Sequence, residues 1–293
     1  MDEKIDSDSC MNCGGSLEKT GDYCHDKPEL LIAKCSNCSL KQVLDFSHVT
    51  TKIYENLGAE DFHADGADLQ IERQRLYSWN KKRISIMKDF FPNMKGETVL
   101  DFGCGSGGFI EQAQGAFKKV VGFDVSDQIC QVHESNGWEC YNSLKNIDIR
   151  FDIMTLFNVL EHVPEPWELL VDFKKSLSPK YFVLEVPNTD ESLISIFNNS
   201  AYRKNHHASL HVYYFTQKSF KQVCERAGLE VIFETQYQRY TLANNVGWMN
   251  NGKKGGEYLY TIFNDEQLNL EYERVLVSNG LADSNFFICR AKK

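Results

Sequence analysis

The sequence predicts an α/β fold with a mostly parallel sheet covered by helices on both faces, preceded by a small cysteine-rich module. Three observations carry this prediction. Short apolar strand-like runs alternate with helical runs from about residue 95 onward, the first of these runs leads into a glycine-rich turn, and two C-x-x-C pairs stand within the first forty residues. A chain of 293 residues is long enough for one large domain, or for a medium domain with a small attachment.

Composition and charge exclude several classes of protein. Hydrophobic residues make up 42% and charged residues 25%, which is typical of a soluble globular chain and argues against disorder. The formal net charge of −9 leaves no basic field for a phosphate backbone, so no nucleic-acid partner is expected. The acidic, polar start lacks the features of a secretory signal, and no apolar run approaches the ~18–20 residues that span a bilayer. We therefore expect a cytoplasmic protein without a membrane partner, and its oligomeric state stays open.

The cysteines fall into two groups. Four of them form the pattern C-x2-C-x21-C-x2-C over Cys10, Cys13, Cys35 and Cys38, and four thiolates suit tetrahedral Zn²⁺. A closed site of this kind is structural, so we predict a loop-rich zinc-binding knuckle over residues 1–50, with too few apolar residues to bury a core. Four unrelated thiols or a redox pair are the alternatives. The other six cysteines are scattered singly, and a reducing compartment favours free thiols there.

The remaining elements follow from periodicity and from turn residues. Residues 51–94 are predicted to form a helical linker or lid, because apolar residues recur at helical spacing from Leu69 to Phe91 and Pro92 ends the run. Ser126 is a candidate helix N-cap and Gly228 a candidate C-cap. Strands are predicted at 98–102, 119–124, 151–158, 181–186, 229–235 and 284–291. Helices are predicted at 109–117, 127–136, 167–177 and 219–227.

The glycine-rich turn predicts a nucleotide-type ligand. Gly103, Gly105 and Gly108 satisfy G-x-G-x-x-G after the first strand, and Asp124 stands 21 residues beyond Gly103 at the end of the next strand, as a ribose-binding acid does. The pattern alone does not distinguish a dinucleotide from S-adenosylmethionine. Asp101 favours the latter, because a carboxylate at the mouth of the turn would repel a pyrophosphate but suits the ammonium group of a methionine moiety.

This arrangement resembles the class I S-adenosylmethionine-dependent methyltransferases over residues 95–291. Their D-x-G-x-G-x-G loop stands here at 101–107, their acidic second-strand end at 121–126, and a strand followed by an "LEHV" loop at 151–163. The resemblance implies a seven-stranded, mostly parallel Rossmann-like sheet. Where many relatives carry an acid near the adenine, this chain has Asn142 and Ser143, either of which can supply the polar contact. The cofactor-binding residues implied are Asp101, Gly103, Gly105, Gly107, Asp124, Val125, Ser143 and Asn158.

A narrower resemblance points to the acceptor. A Cys₄ knuckle followed by a linker and this methyltransferase block is similar to bacterial enzymes that methylate nucleotide-linked sugars and surface-polysaccharide units. Their histidine-bearing stretch, which ends in aromatic-Phe-Ser/Thr, stands here at 206–216. Carbon methyltransferases of this type carry a glutamate before the last histidine, whereas this chain has Leu210, which favours oxygen. The resemblance implies a methyltransferase domain over 95–293 with acceptor-site insertions around 188–216 and 240–283, although the latter carries no readable pattern.

Methyl transfer to a hydroxyl needs in-line placement and a base, and histidine suits the second task. His211 is the first candidate and His162, which follows a predicted strand, is the second; the alternative for each is a structural histidine. His206 and His207 stand in a predicted polar loop and are more typical of structural histidines. With an unperturbed imidazole as base, the rate should fall below about pH 6.

The function predicted from the sequence is S-adenosylmethionine-dependent methylation of a small molecule, at a hydroxyl of a sugar or nucleotide-linked sugar, in carbohydrate biosynthesis. Carbon methylation of a nucleotide-linked keto-sugar is the alternative among small-molecule enzymes. RNA methylation is a different class, which the net charge of −9 disfavours. A binding module with a silent cofactor site is a third class, and the intact glycines and both acids argue against it.

Overall fold

The computed structural model describes residues 9–49 and 69–292, which form two compact units. The N-terminal unit comprises residues 9–49, Leu160–Trp167 and Glu185–Phe287. The central unit comprises residues 69–159, Glu168–Leu184 and 288–292. None of the helices described combines the length and the hydropathy of a membrane-spanning segment.

Strands and helices alternate along most of the described chain. The strands are β1 Leu17–Cys24, β2 Lys27–Cys35, β3 Lys41–Val43, β4 Thr98–Phe102, β5 Lys119–Phe123, β6 Cys140–Tyr141, β7 Ile153–Phe157, β8 Tyr181–Pro187, β9 Tyr213–Tyr214, β10 Leu229–Tyr237 and β11 Ser284–Ala291. The helices are α1 Leu69–Arg75, α2 Tyr77–Phe90, α3 Gly108–Ala113, α4 Asp127–Ser135, α5 Pro166–Ser176, α6 Ser192–Ser195, α7 Ser200–His206, α8 Gln217–Arg226, α9 Leu242–Asn251, α10 Gly256–Leu259 and α11 Glu266–Ser278. Short 3₁₀ turns occupy Met94–Gly96, Leu144–Asn146, Leu160–His162 and Thr261–Asn264.

The larger sheet has seven strands in the order β10-β11-β8-β7-β4-β5-β6. Strand β4 pairs in parallel with both β5 and β7, and β5 pairs in parallel with β6. The strand order therefore reverses at β4, and sheets of this type bind ligands at the carboxyl ends of the strands beside such a reversal. The predicted α/β fold with a seven-stranded, mostly parallel sheet is confirmed.

Local sequence signals account for these elements. All five residues of β7 are buried, as expected for a central parallel strand with helices on both faces. The Ser126 hydroxyl accepts a hydrogen bond from the Ile129 amide at the start of α4, which confirms the predicted cap. Gly228 follows α8 with a φ of +70°, the left-handed conformation that ends many helices. The predicted elements agree with the observed ones to within a few residues at their ends.

The N-terminal module is a sheet and not the loop-rich knuckle that the sequence predicts. Strands β1, β2, β3 and β9 form a four-stranded sheet, in which β3 pairs antiparallel with both β2 and β9. Its apolar core is small and includes Tyr214 of β9. The expectation of a module without a core is therefore wrong, because a strand from about 170 residues later in the chain completes it.

The helical prediction for the linker is confirmed where the chain is described. Helices α1 and α2 cover most of residues 69–90, whereas the part of the predicted linker at 51–68 lies outside the described residues. The segment without a readable pattern, 240–283, is mostly helical and contains α9, α10 and α11. The domain boundaries near residues 50 and 94 stay predictions.

One pair of scattered cysteines is bonded. Cys130 of α4 and Cys140 of β6 form a disulfide, with Cα atoms 5.1 Å apart. The expectation that all six scattered cysteines are free thiols is therefore wrong for this pair. Chain folding brings the two together, since β6 lies directly beside β5, from which α4 departs.

Candidate functional site

The glycine turn after β4 adopts a backbone that only glycine supports readily. Gly103, Gly105 and Gly107 have φ values of +74°, +50° and +77°. A Cβ on Gly103 would lie 2.7 Å from Val159 Cγ2, and one on Gly107 would lie 2.6 Å from His133 Cε1. Larger side chains at these two positions would therefore displace the turn, which presents backbone atoms at the start of α3.

Asp124 lies at the end of β5 beside this turn. Its two carboxylate oxygens accept hydrogen bonds from the amides of Gly105 and Ser126, each at 3.0 Å. Burial raises the pKa of the carboxyl group, and these two hydrogen bonds oppose the rise. A carboxylate offers about four acceptor positions, so a pair of ligand hydroxyls can still bind here.

Asp101 is buried at the end of β4. Its carboxylate accepts a hydrogen bond from Thr155 Oγ1 at 2.7 Å. Burial raises the pKa of this carboxyl group to about 6, against the opposing effects of Thr155 and the positive charge of Arg83. An additional cationic group beside Asp101 would stabilise its charged form, so the residue suits a ligand ammonium.

Two helices contribute contacts that the sequence did not reveal. Arg73 of α1 donates to the Ser106 carbonyl at 3.1 Å and lies over the ring of Trp138. His133 of α4 contacts the Gly105 carbonyl through Nε2 at 2.9 Å, and burial lowers the pKa of its imidazole to about 4. Because these residues reach the turn only through tertiary packing, no local motif marks them.

The other cofactor residues implied by the sequence lie in half-buried positions of the central unit. Val125 stands between Asp124 and the cap of α4, and Ser143 precedes the 3₁₀ turn Leu144–Asn146. Asn158 follows β7 with a φ of +54°. Asn142, the other polar candidate, donates to Asp127 at 2.9 Å.

The N-terminal unit brings both predicted catalytic histidines together. The rings of His162 and His211 have centroids 4.8 Å apart in an edge-to-face arrangement. The buried carboxylate of Glu161 joins them, with one oxygen 3.9 Å from His162 Nε2. The ligating atoms of all three side chains lie within 4.8 Å of one another. The sequence places these histidines 49 positions apart, so the cluster is a product of the fold.

A backbone contact fixes the orientation of His162. Its Nδ1 lies 3.0 Å from the Leu210 carbonyl, an acceptor, so Nδ1 carries the proton and the lone pair of the neutral ring is on Nε2. Burial lowers the pKa of His162 to about 4. The 23% exposure of the side chain and the nearby Glu161 carboxylate both act against this lowering of the pKa. Burial also lowers the pKa of His211, and both rings are therefore neutral at pH 7.

His206 and His207 are buried, contrary to the polar-loop assignment. Both rings pack near Tyr214, with centroid distances of 5.7 and 4.8 Å. Burial lowers the pKa of each imidazole. His206 lies 6.4 Å from His211 between ring centroids, so it borders the cluster of Glu161, His162 and His211.

The four paired cysteines meet in the N-terminal unit. Sγ of Cys10 lies 3.6 Å from Sγ of Cys38, Sγ of Cys13 lies 3.5 Å from that of Cys35, and all four sulfurs lie within 4.8 Å of one another. The amide of Cys38 points at Cys35 Sγ from 3.4 Å. Contact with Cys10 and burial raise the pKa of the Cys38 thiol. Four thiols this close ionise together only around a cation, so the donor set fits one tetrahedral ion.

Arg226 of α8 holds the first cysteine turn in place. It donates to the carbonyls of Met11 and Asn12, the latter at 2.8 Å, and lies over the ring of Trp167 at 3.7 Å. The hydrogen bonds with Met11 and Asn12 join residues more than 200 positions apart, so no local motif marks Arg226.

Comparisons with known proteins agree with this geometry. A methyltransferase-domain family profile matches residues 69–234, more than half of the chain. The ubiquinone biosynthesis O-methyltransferase of Glaesserella parasuis serovar 5 (strain SH0165) is 28% identical over 152 residues, covering 46% of this chain and 64% of that protein. The protein of the same name from Paraburkholderia phytofirmans is 28% identical over 123 residues, covering 38% and 53%.

The chain thus spans between about half and two thirds of the length of these two curated relatives. Among solved structures, the magnesium protoporphyrin IX methyltransferase of Synechocystis PCC 6803 with bound S-adenosylmethionine aligns with a TM-score of 0.50 at 12% identity. The alignment covers 85% of this chain and 98% of that one, and it supports the fold.

Proposed function

This chain belongs to the methyltransferase-domain family, and from that premise we propose that it methylates a hydroxyl group of a sugar or nucleotide-linked sugar. It is an S-adenosylmethionine-dependent methyltransferase. The observation that carries the proposal for the acceptor is the cluster of two neutral imidazoles and a buried carboxylate formed by His162, His211 and Glu161.

The residues around the glycine turn fit the methyl donor. Asp124 retains acceptor positions for the ribose hydroxyls, and Asp101 suits the ammonium group. Gly103, Gly105 and Gly107 give close backbone access, with Val125, Ser143 and Asn158 as the remaining proposed contacts. When bound, S-adenosylmethionine supplies an activated methyl group whose leaving thioether is neutral.

A hydroxyl acceptor must lose its proton as its oxygen gains the methyl group. His211 is the proposed base, and His162 the second candidate, each taking the proton on a ring nitrogen that carries a lone pair. A desolvated imidazole resists a positive charge, but the adjacent Glu161 carboxylate stabilises the imidazolium as it forms. The proton thus moves from the acceptor oxygen to the ring.

Oxygen is the better supported acceptor atom. Both curated relatives named above are O-methyltransferases, and Leu210 stands where the sugar carbon methyltransferases have a glutamate. Carbon methylation of a keto-sugar remains the second candidate. RNA is disfavoured by the net charge of −9. Screening sugar nucleotides for release of S-adenosylhomocysteine tests the proposal, and release with RNA but with no sugar would contradict it.

A structural zinc ion is the proposed occupant of the four-cysteine site. Cys10, Cys13, Cys35 and Cys38 would hold it, and a closed set of four thiolates stabilises the fold without taking part in the reaction. The cluster of Glu161, His162 and His211 also has a donor set suited to a divalent cation. A count of bound metal separates the two cases, since the proposal expects about one ion per chain.

The Asp124 carboxylate should dominate cofactor affinity. In Asp124→Ala, loss of the charged hydrogen bonds to the ribose should weaken S-adenosylmethionine binding by about 1.5–3 kcal/mol, roughly 10–150-fold. Calorimetry measures the effect. Asp127→Ala is the matched control, because Asp127 is an exposed acid at the start of α4 and should leave affinity near that of the parent. Unchanged binding in Asp124→Ala, or tighter binding of NADH, would contradict the assignment.

A further inference from the structure

The turn between β1 and β2 contacts the loop that carries the histidines. Asp26 accepts hydrogen bonds from the Ser209 amide at 2.8 Å and from the Ser209 hydroxyl at 2.6 Å. The adjacent His25 amide donates to the His207 carbonyl at 2.9 Å. His48, after β3, contacts the Ser209 carbonyl through Nε2 at 2.8 Å. Four hydrogen bonds thus hold His207 and Ser209 in the loop 207–212, which joins α7 to β9.

This loop sets the orientation of the candidate bases. The Leu210 carbonyl, one residue after Ser209, is the acceptor that fixes the Nδ1 proton of His162. His211 is the next residue, and the Val212 amide donates to the Glu161 carbonyl at 2.8 Å. A shift of Ser209 would therefore be transmitted to both imidazoles and to the chain at Glu161.

We propose that Asp26 is a positioning residue, which holds the loop 207–212 so that His162 keeps one tautomer and both histidines face Glu161. The inference rests on the proposed function in giving these histidines a role in proton transfer. Asp26 itself touches neither histidine ring that we propose as base; it acts through Ser209.

The chemistry of Asp26 suits this task. The Asp26 side chain is 39% exposed, whereas Ser209 is only 3% exposed. The carboxylate therefore binds the buried Ser209 from the solvent side of the loop. Partial burial favours a raised pKa, but the hydrogen bonds from Ser209 outweigh it and lower the pKa of Asp26. The group therefore stays ionised at neutral pH and accepts two charge-assisted hydrogen bonds, which are stronger than neutral ones.

The four-cysteine site lies at the opposite end of the same hairpin. Strands β1 and β2 pair from Cys24↔Lys27 beside the turn to Leu17↔Cys35 at the far end, where Cys35 joins the other thiols. Fixing Cys35 therefore anchors the hairpin that presents Asp26. Loss of metal should then disturb His162 in the same direction as loss of the Asp26 carboxylate.

The test is spectroscopic and needs no acceptor. In full-length protein carrying ¹⁵N-labelled histidine, long-range ¹H–¹⁵N spectra distinguish the two neutral tautomers, and His162→Gln assigns the His162 signals by their loss. The parent should show a single tautomer protonated on Nδ1. In Asp26→Asn one acceptor oxygen is lost, so the signals should move toward the average of both tautomers and the Nδ1 proton should exchange at least about tenfold faster.

Two further variants keep the test decisive. Glu18→Gln changes an exposed acid of β1 in the same module and should leave the His162 spectrum unchanged. Ser209→Ala removes one of the two hydrogen bonds from the other side and should shift the spectrum as Asp26→Asn does. In Asp26→Asn and Ser209→Ala, metal content and S-adenosylmethionine affinity should stay within about twofold of the parent values, which would show that the fold is intact.

The outcomes separate this inference from the proposed function. A His162 spectrum in Asp26→Asn that matches the parent overturns the positioning role, whatever the acceptor. A shifted His162 spectrum in Asp26→Asn, together with a parent protein that methylates no sugar hydroxyl, would support the positioning role and contradict the proposed function. Once the acceptor is known, Asp26→Asn should lower kcat about tenfold with KM for S-adenosylmethionine unchanged; a change in that KM alone would overturn the inference.

Discussion

Replacement of His211 by glutamine is expected to lower kcat by about 10²–10⁴-fold, the range over which a positioned base assists proton transfer. Glutamine keeps a polar side chain of similar size but has no basic nitrogen. His162→Gln should lower kcat as well, to a smaller extent if His162 orients His211 or the acceptor. S-adenosylmethionine affinity, measured by calorimetry, should change little in either variant, because neither residue is among the proposed cofactor contacts.

The dependence of the methylation rate on pH should reflect the lowered pKa of the buried imidazole that acts as base. Only the neutral ring accepts a proton, so the rate is lost as pH falls through the pKa of the base. Burial lowers the pKa of His162 to about 4 and also lowers that of His211, so the acid limb should lie below the value near 6 expected from an unperturbed histidine. A limb centred at or above pH 6.5 would contradict a desolvated imidazole as base.

His133→Gln is the matched control for these variants. His133 contacts the glycine turn at Gly105, so its loss should weaken cofactor binding while the pH profile keeps its shape. Parental kcat in both His211→Gln and His162→Gln would mean that placement of the acceptor alone is sufficient for the reaction. The assignment of a histidine as catalytic base would then be wrong.

Loss of the metal should unfold the N-terminal sheet. Structural zinc sites contribute about 10–16 kcal/mol of apparent binding energy in isolated fingers, and the module has only a small apolar core with which to replace it. The parent should carry about one zinc per chain by elemental analysis. Cys35→Ser should lose it and lose amide protection in β1, β2 and β3, while S-adenosylmethionine binding should persist.

Cys24→Ser is the control for metal loss. Cys24 is buried in the same sheet and its sulfur lies 3.7 Å from the Tyr214 hydroxyl, but it is not one of the four clustered thiols. The variant should retain metal. Protein purified without any metal would contradict the zinc site. A second ion per chain that disappears in His211→Gln would reassign Glu161, His162 and His211 as a cation site.

The parts of the fold that could be predicted are those encoded locally. The buried run of β7, the cap at Ser126 and the glycine turn after β4 each lie within a few consecutive residues, so periodicity and turn residues were sufficient. The pattern of the four cysteines was also informative, since each C-x-x-C is a local turn. The strand, the cap and the turn are present as predicted, and the four thiols lie close together.

The parts that could not be predicted depend on contacts between distant residues. The core of the N-terminal sheet could not be read from residues 1–50 alone, because Tyr214 completes it. Likewise, Arg226 contacts the first cysteine turn from the distant helix α8. The pairing of Asp26 with Ser209 joins residues 183 positions apart. Neither a motif nor a period marks such pairs, so the sequence indicates candidate histidines but not the contacts that hold their loop.

In the proposed reaction, a methyl group passes from S-adenosylmethionine to a sugar hydroxyl. The most direct measurement supplies S-adenosylmethionine with a ¹³C-labelled methyl group to the full-length protein together with sugar nucleotides, and locates the label in the product by NMR. We expect one new labelled methyl signal, from a methyl group bound to oxygen on the sugar, and its loss in His211→Gln. Label on a carbon atom of the sugar, or on RNA in place of any sugar, would contradict it.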